Sequence, residues 1–206
     1  MTFQGFTASD FNVFKIDGLE PRMEALQERI RPKLTYLGDY FSQELSILIG
    51  DEIFPHVAKH ARRTINPPND TWVAFAANKR GYKMLPHFQI GLWETHLFIW
   101  YAVIYEAPSK ETIGKKLQKN ISYVQEQVPA NFVWALDHMK PISTPHQELS
   151  EEDLNMMFER LQTVKKAELL CGIEIPREDA VKMTGEELMQ TIRNVFNQLI
   201  PLYKLD

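Results

Sequence analysis

The chain has 206 residues, 44% of them apolar and 24% charged, with a formal net charge of −4. Disorder is excluded, since it requires few apolar residues and a high net charge; a single domain with a sizeable core fits this length. One cysteine, Cys171, excludes an intramolecular disulfide and any multi-cysteine zinc site.

The opening residues, Met1 to Thr7, lack a basic stretch followed by an apolar core, so no signal peptide is expected and a cytoplasmic protein is. The longest apolar run, Leu97 to Tyr105, is far short of the ~20 residues that a membrane-spanning helix needs. After an aromatic lead (Phe11, Val13, Phe14, Ile16), Asp17-Gly18 marks a turn. A helix is predicted from Leu19, with Met23, Leu26, Ile30, Leu34 and Leu37 at spacings of three or four on one face. Pro32 should kink or divide it, and Gly38 offers a second break. Another helical stretch, Tyr40 to Ile49, ends at Gly50-Asp51.

Strands follow. Asn66-Pro67-Pro68-Asn69-Asp70 is a rigid lead-in, and Thr71 to Ala77 has the aromatic and β-branched content of a strand. Lys79-Arg80-Gly81-Tyr82 reads as a reversal, with Gly81 free to take positive φ. Phe88 to Trp93 is the next strand. His96 to Tyr105 is a third, and its unbroken apolar run predicts a central strand covered on both faces. The connections are too short for crossovers, so the three form an antiparallel meander.

Helix returns from Ser109 to Gln127, basic on one side, and Phe132 to Leu136 is a further strand. Ser150 as N-cap with Asp153 three residues on opens a helix to about Val164. Glu168 to Ile175 is a strand holding Cys171. Thr184-Gly185-Glu186-Glu187 opens a last helix through Leu199. The chain therefore reads as a single α+β domain over residues 1–206, with a mostly antiparallel sheet, its central meander at about 71–105, packed with several helices.

The chemistry points to one segment. Between His56 and His87 lie six basic residues, Lys59, Arg62, Arg63, Lys79, Arg80 and Lys83, with three of the six histidines and one acid, Asp70. A local excess of positive charge in an acidic chain marks where an anion would go. Arg62, Arg63, Lys79, Arg80 and Lys83 would supply the charge for a phosphate- or carboxylate-bearing small ligand, with His56, His60, Tyr82 and His87 as polar neighbours. The bland alternative is that these cations merely neutralise the acidic remainder.

Other chemistries are weaker. His56 and His60 share a face at a spacing of four, yet Val57 stands where a metalloprotease needs its Glu, and the nearby cations oppose a dication; no metal or cofactor is expected. Asp137-His138 and Glu94 with His96 suggest acid–base pairs, which keeps open a His-dependent enzyme acting on an anionic substrate through His56, His60, His87 or His138. Cys171 sits among apolar neighbours and reads as a packed thiol. Trp72, Phe75, Phe88, Trp93, Phe98, Trp100 and Tyr101 read mainly as core, with a stacking platform formed by a few of them as the alternative. A pI near 5.9 argues against a dedicated nucleic-acid protein, although an acidic partner or RNA is a third reading of the basic face. Oligomeric state is open.

Several words are long enough to be specific: Pro55-His56-Val57-Ala58-Lys59-His60-Ala61-Arg62-Arg63, Asp70-Thr71-Trp72-Val73-Ala74-Phe75 after Asn66-Pro67-Pro68, and Lys79 through Gly91. With Leu136-Asp137-His138-Met139-Lys140-Pro141, the Val164-Lys165-Lys166 region, and Gly18-Leu19 before Arg22-Met23-Glu24-Ala25-Leu26, nearly the whole chain resembles the YktB-like proteins of Gram-positive bacteria. The resemblance implies a cytoplasmic α+β protein of about this length. That family has no assigned substrate, cofactor or catalytic residue, so the resemblance carries no role to any residue here.

Overall fold

The computed structural model describes residues 3–205. Its centre is a seven-stranded antiparallel sheet in the order β1-β2-β3-β4-β7-β5-β6. The strands are β1 (Phe54–Val57), β2 (Asp70–Ala76), β3 (His87–Trp93), β4 (His96–Val103), β5 (Val133–Ala135), β6 (Thr144–Pro145) and β7 (Leu169–Pro176). The predicted meander is β2-β3-β4. It continues on one side into β1 and on the other into β7, which pairs along the whole of β4 from His96↔Pro176 to Val103↔Leu169. All eight residues of β4 are buried, as its apolar run predicts.

The helices are α1 (Ala8–Phe11), α2 (Leu19–Ala25), α3 (Arg31–Ile49), α4 (Lys110–Lys119), α5 (Ile121–Gln127), α6 (Glu151–Thr163), α7 (Arg177–Ala180) and α8 (Gly185–Lys204). The apolar stripes are amphipathic in the usual sense: Leu34, Leu37, Phe41 and Leu45 on α3, and Leu188, Ile192, Val195, Phe196, Leu199 and Leu202 on α8, are all buried. They meet the sheet face carrying Val73, Phe75, Phe88, Ile90, Ile99 and Cys171 in one continuous core. Phe196 lies at its middle, with ring centroids 5.6, 5.7 and 5.3 Å from Phe41, Phe75 and Phe88. Both predicted capping boxes are present, Ser150 with Asp153 and Thr184 with Glu187.

Four local expectations are corrected. The first long helix is not divided at Pro32 but carries a π-turn just ahead of it, and it passes straight through Gly38. A π-turn at Leu26–Ile30 lets Arg31 N–H reach back to the Leu26 carbonyl, and this wider turn makes room for the Pro32 ring. Gly38 instead permits close packing, since a Cβ there would stand 3.0 Å from Pro55 Cβ and 3.2 Å from a Val73 methyl. The basic helix predicted over 109–127 is two helices, divided at Asn120, whose φ of −112° and ψ of 30° leave the helical range. The last helix runs past Leu199 to Lys204; Pro201 falls in its final turn, where a missing N–H costs one bond. Finally, Phe54–Val57 is an edge strand rather than an unassigned link, a place where Pro55 is tolerated.

Phe196→Ala removes the ring that ties α8 to α3 and two strands. It is expected to lower unfolding stability by about 3–5 kcal/mol. Urea denaturation followed by far-UV circular dichroism measures the loss.

Candidate functional site

Strand alternation gives the sheet a second face, and among the described residues no helix residue belongs to the cluster on it. That cluster consists of Phe98, Trp100, Ala102, Ile104, Ala135 and Leu170, with Trp72, Trp93 and Val133 packed against it. The register sets large residues beside small ones: Trp72 and Phe98 flank Gly91, and Trp100 lies between Gln89 and Gly172. Three segments lean on this face in place of helices. His60 sets its ring edge against Trp72 at 5.5 Å, and Tyr82 accepts a hydrogen bond from Trp72 Nε1 at 2.9 Å. The segment after β5 closes the other side, and beneath it is a cavity of about 20 Å³, lined in part by Asp137, His138 and Lys140. Three of the chain's four tryptophans, Trp72, Trp93 and Trp100, line that cavity. So do Asp70, Gln89, His96 and Glu174.

The imidazoles of the basic segment are pinned and neutral. His56, on β1, bonds the Asn78 carbonyl through Nε2 at 2.8 Å, and burial lowers its pKa. His60 sits in a turn at φ 53°, off any helix or strand, 3.2 Å from Thr71 Oγ1. Burial, then the charges of Arg63 and Arg31, push His60 down to about 4. His87 is fully enclosed; its Nδ1 donates to the Leu85 carbonyl at 2.7 Å, so its Nε2 accepts from Gln89 Nε2 at 2.9 Å. Burial brings His87 to about 4 as well, and raises the Tyr82 phenol to about 12. The Tyr82 ring joins them, 5.1 Å from both His56 and His87.

The cations are spread around this cluster. Lys79 lies over the Phe54 ring at 5.2 Å, and Lys83 pairs with Glu106 at 3.6 Å. Arg63 reaches the Asn66 carbonyl at 3.5 Å. Arg62 and Arg80 are exposed and form no ion pair among the described residues. None of the five lines the cavity itself. The charges of Arg63 and Lys83, one from each basic word, both favour the ionised form of the Asp70 carboxyl, without contacting it. Burial pushes that carboxyl up to about 6, while His138, Arg63 and Lys83 pull it back. Nearby, buried Arg22 holds the lead-in to β2, donating to the carbonyls of Ile16 at 2.8 Å and Pro68 at 3.0 Å.

His138 does not pair with its neighbour. Its Nδ1 stands 2.8 and 2.9 Å from the two oxygens of Glu168, and its backbone N–H donates to the same carboxylate at 2.9 Å. Asp137 instead accepts from the Met139 N–H and pairs with Lys140. Likewise His96 faces Glu174 at 3.6 Å, while Glu94 pairs with Lys15. Glu168 lies 30 residues from His138, and no local pattern in the sequence links them. Asp137, His138 and Glu168 bring metal-type ligand atoms within 4.8 Å of one another, but Lys140, Arg160 and Lys166 line the same groove and oppose a cation there. Cys171 is buried in the core, and desolvation raises its pKa well above the ordinary thiol value.

The neutral histidines set a pH dependence. His60, His87 and His96 each fall from 6.5 to about 4 in the folded chain. Their contribution is complete above pH 6.5 and is lost as the pH falls toward 4. Asp70 has the opposite sign, because its raised pKa favours the fold below 3.8 and that gain is lost as the pH rises through about 6. Three groups outweigh one, so the melting temperature is expected to fall between pH 7 and 4.5. His87→Asn retains a donor for Leu85 without the titration and should flatten the slope, with fully buried His87 carrying on the order of 3 kcal/mol. Thermal melts across that range test both statements.

Comparison with known proteins agrees with the resemblance carried by the long central words. The family profile described as "Domain of unknown function (DUF1054)" matches residues 6–203. A UPF0637 protein of Bacillus velezensis is 56% identical over 205 residues, covering 100% of this chain and 98% of that protein. A UPF0637 protein of Bacillus cytotoxicus is 53% identical, covering 100% of this chain and 99% of its own. One from Bacillus licheniformis is 52% identical across 97% of this chain and 95% of that protein. With a full-length profile match and relatives of this identity, the chain belongs to the DUF1054 family.

Proposed function

We propose that this protein binds a small phosphate- or carboxylate-bearing ligand at the helix-free face of its sheet, as a cytoplasmic protein. The observation that carries the reading is the action of Arg63 and Lys83 on one group, Asp70, at the tryptophan-lined cavity. The histidines are neutral at pH 7 and offer hydrogen bonds rather than charge, which leaves the arginines and lysines to attract an anion. Indole faces beside a basic rim suit a ligand with a flat part next to its charge. Among the described residues no helix is long and apolar enough to cross a membrane.

One observation favours chemistry on that ligand. A buried carboxylate fixes the His138 ring through Nδ1, leaving Nε2 as the ring atom open to proton exchange. His138 also lines the cavity, so it is the residue placed to move a proton. Under simple binding, a bound compound is recovered unchanged. Its consumption by the wild type and not by His138→Gln would make the protein an enzyme.

A thermal-shift panel of nucleotides, sugar phosphates and inorganic phosphate tests the binding reading. A ligand at 100 times its Kd stabilises by ~2.7 kcal/mol, a rise of about 5–10 °C for a chain of this size. The rise should shrink with added salt and vanish in Arg63→Ala/Lys83→Ala. The absence of any salt-sensitive rise, or equal rises in that variant, sinks the proposal.

A further inference from the structure

The cavity under the 136–143 segment is lined by more carboxylates than cations, with Asp70, Asp137 and Glu174 against Lys140. Asp70 is 5% exposed and lines it, and no other described residue hydrogen-bonds or ion-pairs its carboxylate. Its own backbone N–H is the one donor it has among the described residues, and a buried carboxylate so poorly satisfied is costly and is relieved by a cation in contact with it. Glu174 is a second carboxylate in the lining, receiving a hydrogen bond from Ser143 at 3.0 Å. Gln89 is oriented by chemistry: His87 must donate to the Leu85 carbonyl, so the Gln89 amide nitrogen faces His87 and Oε1 remains as an acceptor. His138 is held from its far side, its Nδ1 given to Glu168. The Trp72 N–H is already committed to Tyr82. The walls thus combine carboxylates, neutral acceptors and indole faces, the combination that holds an organic cation.

Size selects among cations. About 20 Å³ holds one water-sized group, and a primary ammonium is of that size while a trimethylammonium is not. Lys140 cannot serve as the resident cation in this arrangement, because its Nζ pairs with Asp137 at 3.2 Å and its side chain is 64% exposed.

We propose that this cavity is a primary-ammonium site, so that the ligand is a zwitterion whose amine enters beneath the loop and whose anionic end meets Arg63 and Lys83. The ammonium half stands on the cavity alone; the anionic half rests on the function proposed above. The buried Asp70 carboxyl, raised to about 6 by desolvation despite its own backbone N–H and the charges around it, is the group such an occupant would return to its ionised form.

Titration of the full-length protein with O-phosphoethanolamine, inorganic phosphate, ethylamine and phosphocholine, read by tryptophan fluorescence and calorimetry, tests this at pH 7.5. O-phosphoethanolamine is expected to bind at least roughly tenfold more tightly than inorganic phosphate or phosphocholine, as one added charged contact in a desolvated site would give. Asp70→Asn is close to isosteric and buries no charge, so it should fold and melt at least as high as the wild type, yet lose that tenfold gain. Equal binding of phosphate and O-phosphoethanolamine, or a gain that survives in Asp70→Asn, overturns the ammonium site and leaves the anion reading standing. Ethylamine binding that needs Asp70, without any phosphate binding, supports the ammonium site and removes the anion reading. No binding by any of the four probes overturns both.

Discussion

Everything in this structure depends on burying β4 on both sides. Its eight residues are all buried, and it pairs with β3 and β7 along its length. Among the described residues, helices cover only one of its faces. The other must be shielded by what the strands and their connecting segments can supply, which is indole, phenol and imidazole rings on a sheet thinned by Gly91 and Gly172. A sheet covered by loops cannot be sealed by apolar side chains alone, because loops carry their own polar backbone groups. Polar side chains are therefore drawn inside with the rings.

That requirement accounts for the unusual electrostatics of the face. His87 and His60 titrate well below the ordinary imidazole range because burial penalises their charged forms, and the Leu85 carbonyl that accepts from His87 only partly offsets this. Asp70 is the exception, with its carboxylate enclosed but not neutralised by contact. Groups that cost stability without a structural return cluster where ligands bind. The helical core, centred on Phe196 and its three aromatic neighbours, is large enough to tolerate them.

Much of the scaffold was legible in the sequence because its signals are local. Ser150 with Asp153 and Thr184 with Glu187 mark helix starts through contacts spanning three residues, and the apolar run of β4 announces a buried strand. Signals overridden by neighbours were not legible. Pro32 reads as a kink, yet the π-turn before it absorbs the ring; Gly38 reads as a break, yet the helix uses it to approach Pro55 and Val73. Of the candidate site, the basic words were visible as charge. What could not be seen was that His56, His60 and His87 would be pinned and neutral, or that Glu168 rather than Asp137 would hold His138.

The sequence by itself determined an α+β chain, a central antiparallel meander and a basic segment in an acidic protein, because periodicity, capping and charge are properties of neighbouring residues. Only the tertiary structure decided which face of the sheet lacks helices among the described residues, and that three tryptophans and Asp70 meet there. Those outcomes depend on strand register and on which loop folds over which face. Register joins residues far apart in the chain, such as Trp72 with Gly91 and Trp100 with Gly172, and no short stretch of sequence records such a pairing.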